Sequence, residues 1–265
     1  MPRDRSTNRA STLAGLRAST LALGNPTRAL HSARFFKTGT GEYGEGDMFL
    51  GLDVPQMRRV AREHRALELE DTIELLHSRW HEERGIALLL MVQGHLRGRD
   101  GERLRLHRAY LANTECVNNW DLVDLSTPRL VGYHIEQSST KLIERLALSN
   151  SVWERRMAII ATFYCIRAGH FDPTFLISRM LLGDPHDLIH KATGWMLREV
   201  GKRDERVLQD FLDAHAAEMP RTTLRYAIER FSEADRKRYL AVPRTTSHPA
   251  AMTGASSSRA SPTAG

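Results

Sequence analysis

The sequence predicts an all-α protein, a HEAT-like helical repeat solenoid whose inner helices line a concave basic groove. Three observations carry this expectation. Apolar residues recur at spacings of three and four along nearly the whole chain. Segments of about ten to eighteen residues are joined by short breaks and pair at intervals of roughly 35–45 residues, the range of HEAT-type repeats. No hairpin signal stands between alternating runs, so no sheet is expected.

The elements follow in order. Val54–Arg65 carries Pro55 in its first turn, where the missing N–H costs nothing. Glu83–Leu96 places Ile86, Leu89, Leu90 and Gln93 on one side, and Ser151–Ala168 carries Trp153, Met157, Ile160, Ala161 and Tyr164 at helical spacing. Helices are then expected over Asp172–Leu182, Asp187–Val200, Asp204–Ala216, Pro220–Arg230 and Glu233–Tyr239, several opening on an Asp or Ser that can cap them. Self-similarity between the pairs is weak, so the period alone does not separate a solenoid from a bundle. In a solenoid each pair buries its apolar face on its neighbours, and function belongs on the inner surface.

The domain layout follows from composition. Residues 1–10 are expected to be loose and 11–240 to form one repeat domain. The Ser/Thr/Ala/Pro-rich stretch 241–265 is expected to be disordered. No apolar run approaches the ~20 residues of a membrane span, and Arg17 interrupts any signal-peptide core. Met1–Lys37 is rich in Ser, Thr and Arg, so a transit peptide stays open; the simpler expectation is a soluble cytoplasmic protein. Two cysteines, Cys116 and Cys165, offer no disulfide framework and read as reduced, small core residues.

The net charge of +6 and pI near 9.6 invite a nucleic-acid reading. Its distribution restrains that reading. Met1–Lys37 holds seven basic residues against Asp4, and the tail adds Arg244 and Arg259. The body, 38–240, carries 29 basic and 31 acidic residues. A near-neutral body binds DNA only if its charges are sorted onto separate faces.

Three clusters carry candidate chemistry. In the first, Trp120 and Asp124 lie one helical turn apart on one face, pairing a π surface with a carboxylate, which suits a planar cation. The bland alternative is a core Trp and an Asp bonded to a neighbouring Arg. The second, Trp153-Glu154-Arg155-Arg156, suggests a phosphate clamp through Arg156, with Arg155 reserved for solvent or for Glu154. In the third, Lys191, Trp195, Arg198 and Lys202 form one stripe, fitting a nucleic-acid backbone with one stacked base. Trp195 could instead bury itself and leave a solvated basic edge. Gly194, costly in mid-helix by about 1 kcal/mol, implies a close approach by a neighbouring helix or a ligand. His186 and His190 have the i, i+4 spacing of metal ligands but lack a third, so no metal is expected. Gly39–Gly46 lacks the ending of a phosphate loop and reads as a connection.

Taken together, Ala33–Lys37, Phe49–Pro55, Asn119–Asp124, Ser151–Arg156 and His190–Lys202 resemble the AlkD-like DNA alkylation repair family of HEAT-like repeat glycosylases, over residues 12 to 240. The resemblance implies a monofunctional DNA glycosylase that excises cationic N3- and N7-alkylated purines from double-stranded DNA. It places the base-flanking tryptophans on Trp120 and Trp195, the catalytic aspartate on Asp124 and the active-site arginine on Arg156. Phe35 stands where the family uses a tyrosine near the lesion, keeping the ring and losing the hydroxyl. With Phe35, the residues Lys191, Arg198 and Lys202 are expected on DNA. A monomer without cofactor or metal, nucleoid-associated when acting, completes the expectation. The alternatives are a non-catalytic HEAT module that recognises damaged or distorted DNA and a protein–protein scaffold.

Overall fold

Helices alone make up the regular structure of residues 12–245, the part of the chain that the computed structural model describes. In chain order they are Leu13–Ala22 (α1), Pro26–Phe35 (α2), Val54–Glu63 (α3), Leu69–Leu76 (α4), His81–Arg97 (α5), Asp100–Leu111 (α6), Trp120–Thr127 (α7), Tyr133–Glu136 (α8), Lys141–Ala147 (α9), Val152–Ala168 (α10), Asp172–Met180 (α11), Asp187–Gly201 (α12), Glu205–His215 (α13), Arg221–Ala227 (α14) and Glu233–Ala241 (α15). A single isolated bridge, Met48 to Trp80, is the only β pairing among the described residues.

Local chemistry sets the boundaries. Asp53 and Gln56 close a capping box at the start of α3, with Pro55 in the first turn as the sequence predicts. Ser151, His186 and Asp204 cap α10, α12 and α13, and Gly169 at φ 88° ends α10 in the left-handed conformation.

Buried charge extends α5 two residues before the expected start. The Glu82 carboxylate accepts three backbone N–H groups, from Leu50, Gly51 and Leu52 at 2.7–3.2 Å. Glu83 accepts hydroxyls from Thr20 at 3.1 Å and Ser78 at 2.6 Å. These acids are buried because every oxygen finds donors in the N-terminal segments, which they tie to the repeat.

Alternate helices make the inner layer. α10 packs on α7, α9 and α12, and α12 packs on α14. α7, α10, α12 and α14 begin at Trp120, Val152, Asp187 and Arg221, which are 32, 35 and 34 residues apart. The repeat is therefore at or just under the short end of the expected period. α10 is buried nearly all round: Ile159 and Ile160 are fully covered, each burial being worth about 1.5–3 kcal/mol. Pro128 falls inside a continuous helical run from α7 to α8, and the stretch Pro128–Gly132 slips into π-helical bonding there, because proline supplies no N–H to the ladder.

Two glycines fix the inner layer's spacing. A Cβ on Gly132 would sit 2.3 Å from the Ala161 carbonyl oxygen, and one on Gly194 would sit 2.5 Å from both Thr223 O and Tyr226 Cβ. The Gly194 expectation thus resolves to a neighbouring helix, α14.

Helical structure and core contacts run a few residues past position 240. Ala241 belongs to α15, Val242 packs on the core, and the Thr245 amide donates to the Ala217 carbonyl at 2.8 Å. The rest of the expected tail, and residues 1–10, lie outside the described residues. No helix among the described residues is long and apolar enough to cross a membrane.

Candidate active site

A cleft of about 450 Å³ opens where the inner helices face the N-terminal segment. Its walls come from far apart in sequence: Phe35 and Tyr43, then Trp120 and Asp124 of α7, Arg156 of α10, Leu188, Lys191, Trp195 and Arg198 of α12, and Tyr226 of α14. Five aromatic side chains therefore surround one carboxylate.

Asp124 is 17% exposed and bound by Arg156 through both oxygens, Nε to Oδ1 at 2.9 Å and Nη2 to Oδ2 at 2.7 Å. The third nitrogen, Nη1, donates to the Leu188 carbonyl at 2.7 Å. Burial pushes the Asp124 carboxyl above the ordinary carboxylate range, against the lowering pull of Arg156. A carboxylate has about four acceptor positions; the guanidinium takes two, so the carboxylate is held in place with acceptor capacity left towards the cleft. The expected phosphate clamp does not form in this arrangement. Arg156 is 6% exposed and all three of its nitrogens are engaged within the protein. Arg155 bonds Asp184 and the carbonyls of Ser149 and Asn150, not Glu154.

Trp120 is positioned from behind. Phe36 stacks on it at 5.4 Å between centroids, and Phe35, 58% exposed, meets it edge-on at 5.9 Å. Beside them the His81 imidazole packs against both Phe36 and Phe49, which also stack on each other, with Nδ1 3.2 Å from Asp47 and Nε2 2.9 Å from Asp121. Burial alone would lower its pKa; the carboxylates of Asp121 and Asp47 outweigh that and raise it to about 9. Asp47 also accepts from Arg84 at 2.5 Å and from Asn119 at 3.2 Å. Burial pushes Asp47 up, and these donors pull it net downwards. This ionic cluster anchors the first turn of α7.

Trp195 donates its indole N–H to Glu199 at 3.0 Å, leaving its face half-buried in the cleft wall. The basic stripe is less free than its sequence suggests. Lys191 pairs with Asp187 at 2.7 Å, Lys202 with Glu199 at 2.7 Å, and Arg198 with Glu229. Lys191 and Arg198 line the cleft; Lys202 does not. Arg129 and Arg167, which the sequence reading passed over, line a second hollow of about 230 Å³ that shares Asp124 and Trp195 with the first.

Tyr43, Leu188 and Tyr226 were not legible as cleft residues. Tyr43 comes from the Gly39–Gly46 segment, whose glycines turn the chain so that its ring meets Trp153 at 6.0 Å. An aromatic residue inside a glycine-rich loop was the available signal. Burial raises its hydroxyl's pKa, and it restores to the cleft a phenol that Phe35 lacks. His186 Nδ1 accepts from the Leu188 N–H at 3.1 Å, and His190 Nε2 lies 2.5 Å from the Asp184 carbonyl oxygen. Cys165 is buried, as expected, whereas Cys116 is half-buried in a 3-10 turn, Thr114–Cys116.

Fold and site together define a helical-repeat protein with an aromatic, carboxylate-bearing cleft on its inner face. The DNA alkylation repair enzyme family model matches residues 16–231, and the chain belongs to that family. Among solved structures, a predicted DNA alkylation repair enzyme from Enterococcus faecalis has a TM-score of 0.62 at 18% identity, covering 79% of this chain and 97% of that one. At that identity the likeness speaks for the fold. Comparison with curated proteins gives no significant match.

Proposed function

We propose that this protein is a HEAT-like, monofunctional DNA glycosylase that hydrolyses the N-glycosidic bond of cationic N3- or N7-alkylated purines in double-stranded DNA. The observation that carries the reading is the cleft itself: Phe35, Tyr43, Trp120, Trp195 and Tyr226 around the single carboxylate of Asp124. Aromatic faces attract a desolvated planar cation by about 2 kcal/mol each, and a fixed carboxylate adds charge.

Alkylation makes the purine its own leaving group. As the C1′–N bond breaks, its electron pair goes to the base, which departs neutral, and positive charge moves to the sugar. Asp124, oriented by Arg156 rather than free to rotate, stabilises that charge and takes the proton of the water that attacks C1′. Trp120 and Trp195 hold the nucleotide before and during bond breaking. Arg156 acts on the carboxylate, and Lys191 and Arg198 reach the DNA backbone only by exchanging their acidic partners for phosphates.

One observation favours a non-catalytic reading: both Asp124 oxygens already carry a guanidinium hydrogen bond. Release of N3- or N7-methylpurine from alkylated duplex DNA by the purified chain separates the readings. A DNA-binding module retains salt-dependent affinity and releases nothing, and a protein scaffold shows neither.

A further inference from the structure

A second cluster lies beside the turn that precedes α7, among residues that do not line the cleft. His77 at the end of α4 and the turn residues Glu115 and Cys116 bring an imidazole nitrogen, a carboxylate oxygen and a thiol sulfur within 4.8 Å of one another. The spacing in sequence gives no hint of it, since α5 and α6 intervene.

The hydrogen bonds fix the tautomer. The Asn113 side-chain amide donates through Nδ2 to the Ala109 carbonyl at 2.7 Å, so its Oδ1 must face His77. His77 Nε2, 2.7 Å from that oxygen, is therefore the protonated nitrogen. Nδ1 keeps its lone pair, and it points at Cys116 Sγ, 3.4 Å away. A tetrahedral ion with bonds of about 2.0 Å to nitrogen and about 2.3 Å to sulfur holds those two atoms about 3.5 Å apart. The pair is thus already at coordination distance, with an amide oxygen behind the imidazole in the role that outer-shell acceptors play at metal sites.

The charge around the cluster points the same way. The Glu115 carboxylate lies within 4.8 Å of the Cys116 sulfur. The nearby cation, Arg84, is spent on Asp47 and the Ser78 carbonyl. Glu115 forms no ion pair among the described residues, and it and His77 are exposed, so a cation can enter from solvent.

We propose that His77 Nδ1, Cys116 Sγ and a Glu115 carboxylate oxygen form a three-ligand site for a borderline-soft divalent cation of the zinc class, with the fourth position open to water. The mixed nitrogen, sulfur and oxygen donor set suits such an ion better than magnesium or calcium, which prefer oxygen alone. Binding displaces the thiol proton to solvent and ties the end of α4 to the turn before α7.

The test is a Co²⁺ titration of the reduced full chain, read by the near-ultraviolet thiolate-to-cobalt charge-transfer band. The chain has two cysteines, which makes the band assignable. The expected result is one equivalent of Co²⁺, displaced by Zn²⁺. The band should disappear in Cys116→Ser, persist in Cys165→Ser, and need about tenfold more metal in Asn113→Ala. His77→Gln, which keeps a polar side chain of similar reach, should weaken binding by at least that much with helicity unchanged. No band at millimolar Co²⁺, or a band that survives Cys116→Ser, overturns the proposal and leaves a thiol–imidazole hydrogen bond.

Discussion

Arg156 grips Asp124 through both carboxylate oxygens while its remaining nitrogen caps the Leu188 carbonyl, so one guanidinium links α7, α10 and the first turn of α12. The contact gives the proposed catalytic carboxylate a fixed direction. In Arg156→Lys the charge remains and the fork is lost. Losing one charge-assisted hydrogen bond, about 1.5–3 kcal/mol, lowers single-turnover excision by about tenfold to a hundredfold. The salt dependence of DNA affinity stays as it was, because Arg156 holds no phosphate. A reduced salt slope with unchanged excision would restore the phosphate-clamp reading.

On the proposed mechanism the raised Asp124 pKa sets the acid side of the pH profile. The working form is the carboxylate, so activity is lost as pH falls through the folded pKa, which burial has lifted above the usual carboxylate value. Single-turnover rates on alkylated duplex should decline at a pH above the ordinary aspartate range, where the helical fold measured by circular dichroism is intact. An acid limb below the usual aspartate value contradicts the assignment.

Stability should have its own pH window, set by histidines. His81 is raised to about 9 between Asp121 and Asp47. Its contribution is complete below about 6.5, the unfolded value, and is lost as pH rises through 9. His95 and His134, with Nε2 atoms 3.3 Å apart, are lowered to about 4, chiefly by burial. Below about pH 6.5 the unfolded chain takes up those protons first, so stability also falls on the acid side. Melting temperature should therefore peak near neutrality. His81→Asn should flatten the alkaline descent and lower the peak by leaving two carboxylates short of a partner. An alkaline slope that persists in that variant would place the titration elsewhere.

Gly194→Ala tests the inner layer. The added methyl meets the Thr223 carbonyl and Tyr226 Cβ, both at 2.5 Å, and neither is the far end of a flexible chain. Overpacking of this kind costs about 1–3 kcal/mol, despite alanine's better helix propensity. Denaturant unfolding should show the loss, with excision falling as α14 and Tyr226 shift. A neutral or stabilising Gly194→Ala would show that α12 and α14 have room to part.

Much of this architecture was readable from periodicity, because amphipathic helices announce their faces and caps locally. Trp120, Asp124, Arg156, Lys191, Trp195 and Arg198 were all legible, and the fold brings them to one cleft. What failed was partner choice. The sequence shows that Arg156 is basic, but not that its nearest acceptor is Asp124, 32 residues away. It shows a stripe of Lys191, Arg198 and Lys202, but not that Asp187, Glu229 and Glu199 neutralise it. The His77–Glu115–Cys116 group and the Asp47–His81–Asp121 group escaped for the same reason: contacts across helices leave no periodic trace. Pro128 inside a helical run argues locally for a break, and π-helical bonding supported by α10 overrides it.

The central claim is that Asp124 acts as a charge in the transition state. Its most direct test is single-turnover release of N3- or N7-methylpurine from alkylated duplex DNA by Asp124→Asn beside the unsubstituted protein. Affinity for the same duplex and melting temperature are measured on both. The account predicts that excision falls by about a hundredfold or more, while affinity for alkylated duplex changes little and the variant remains folded. Full excision by a folded Asp124→Asn protein would contradict it.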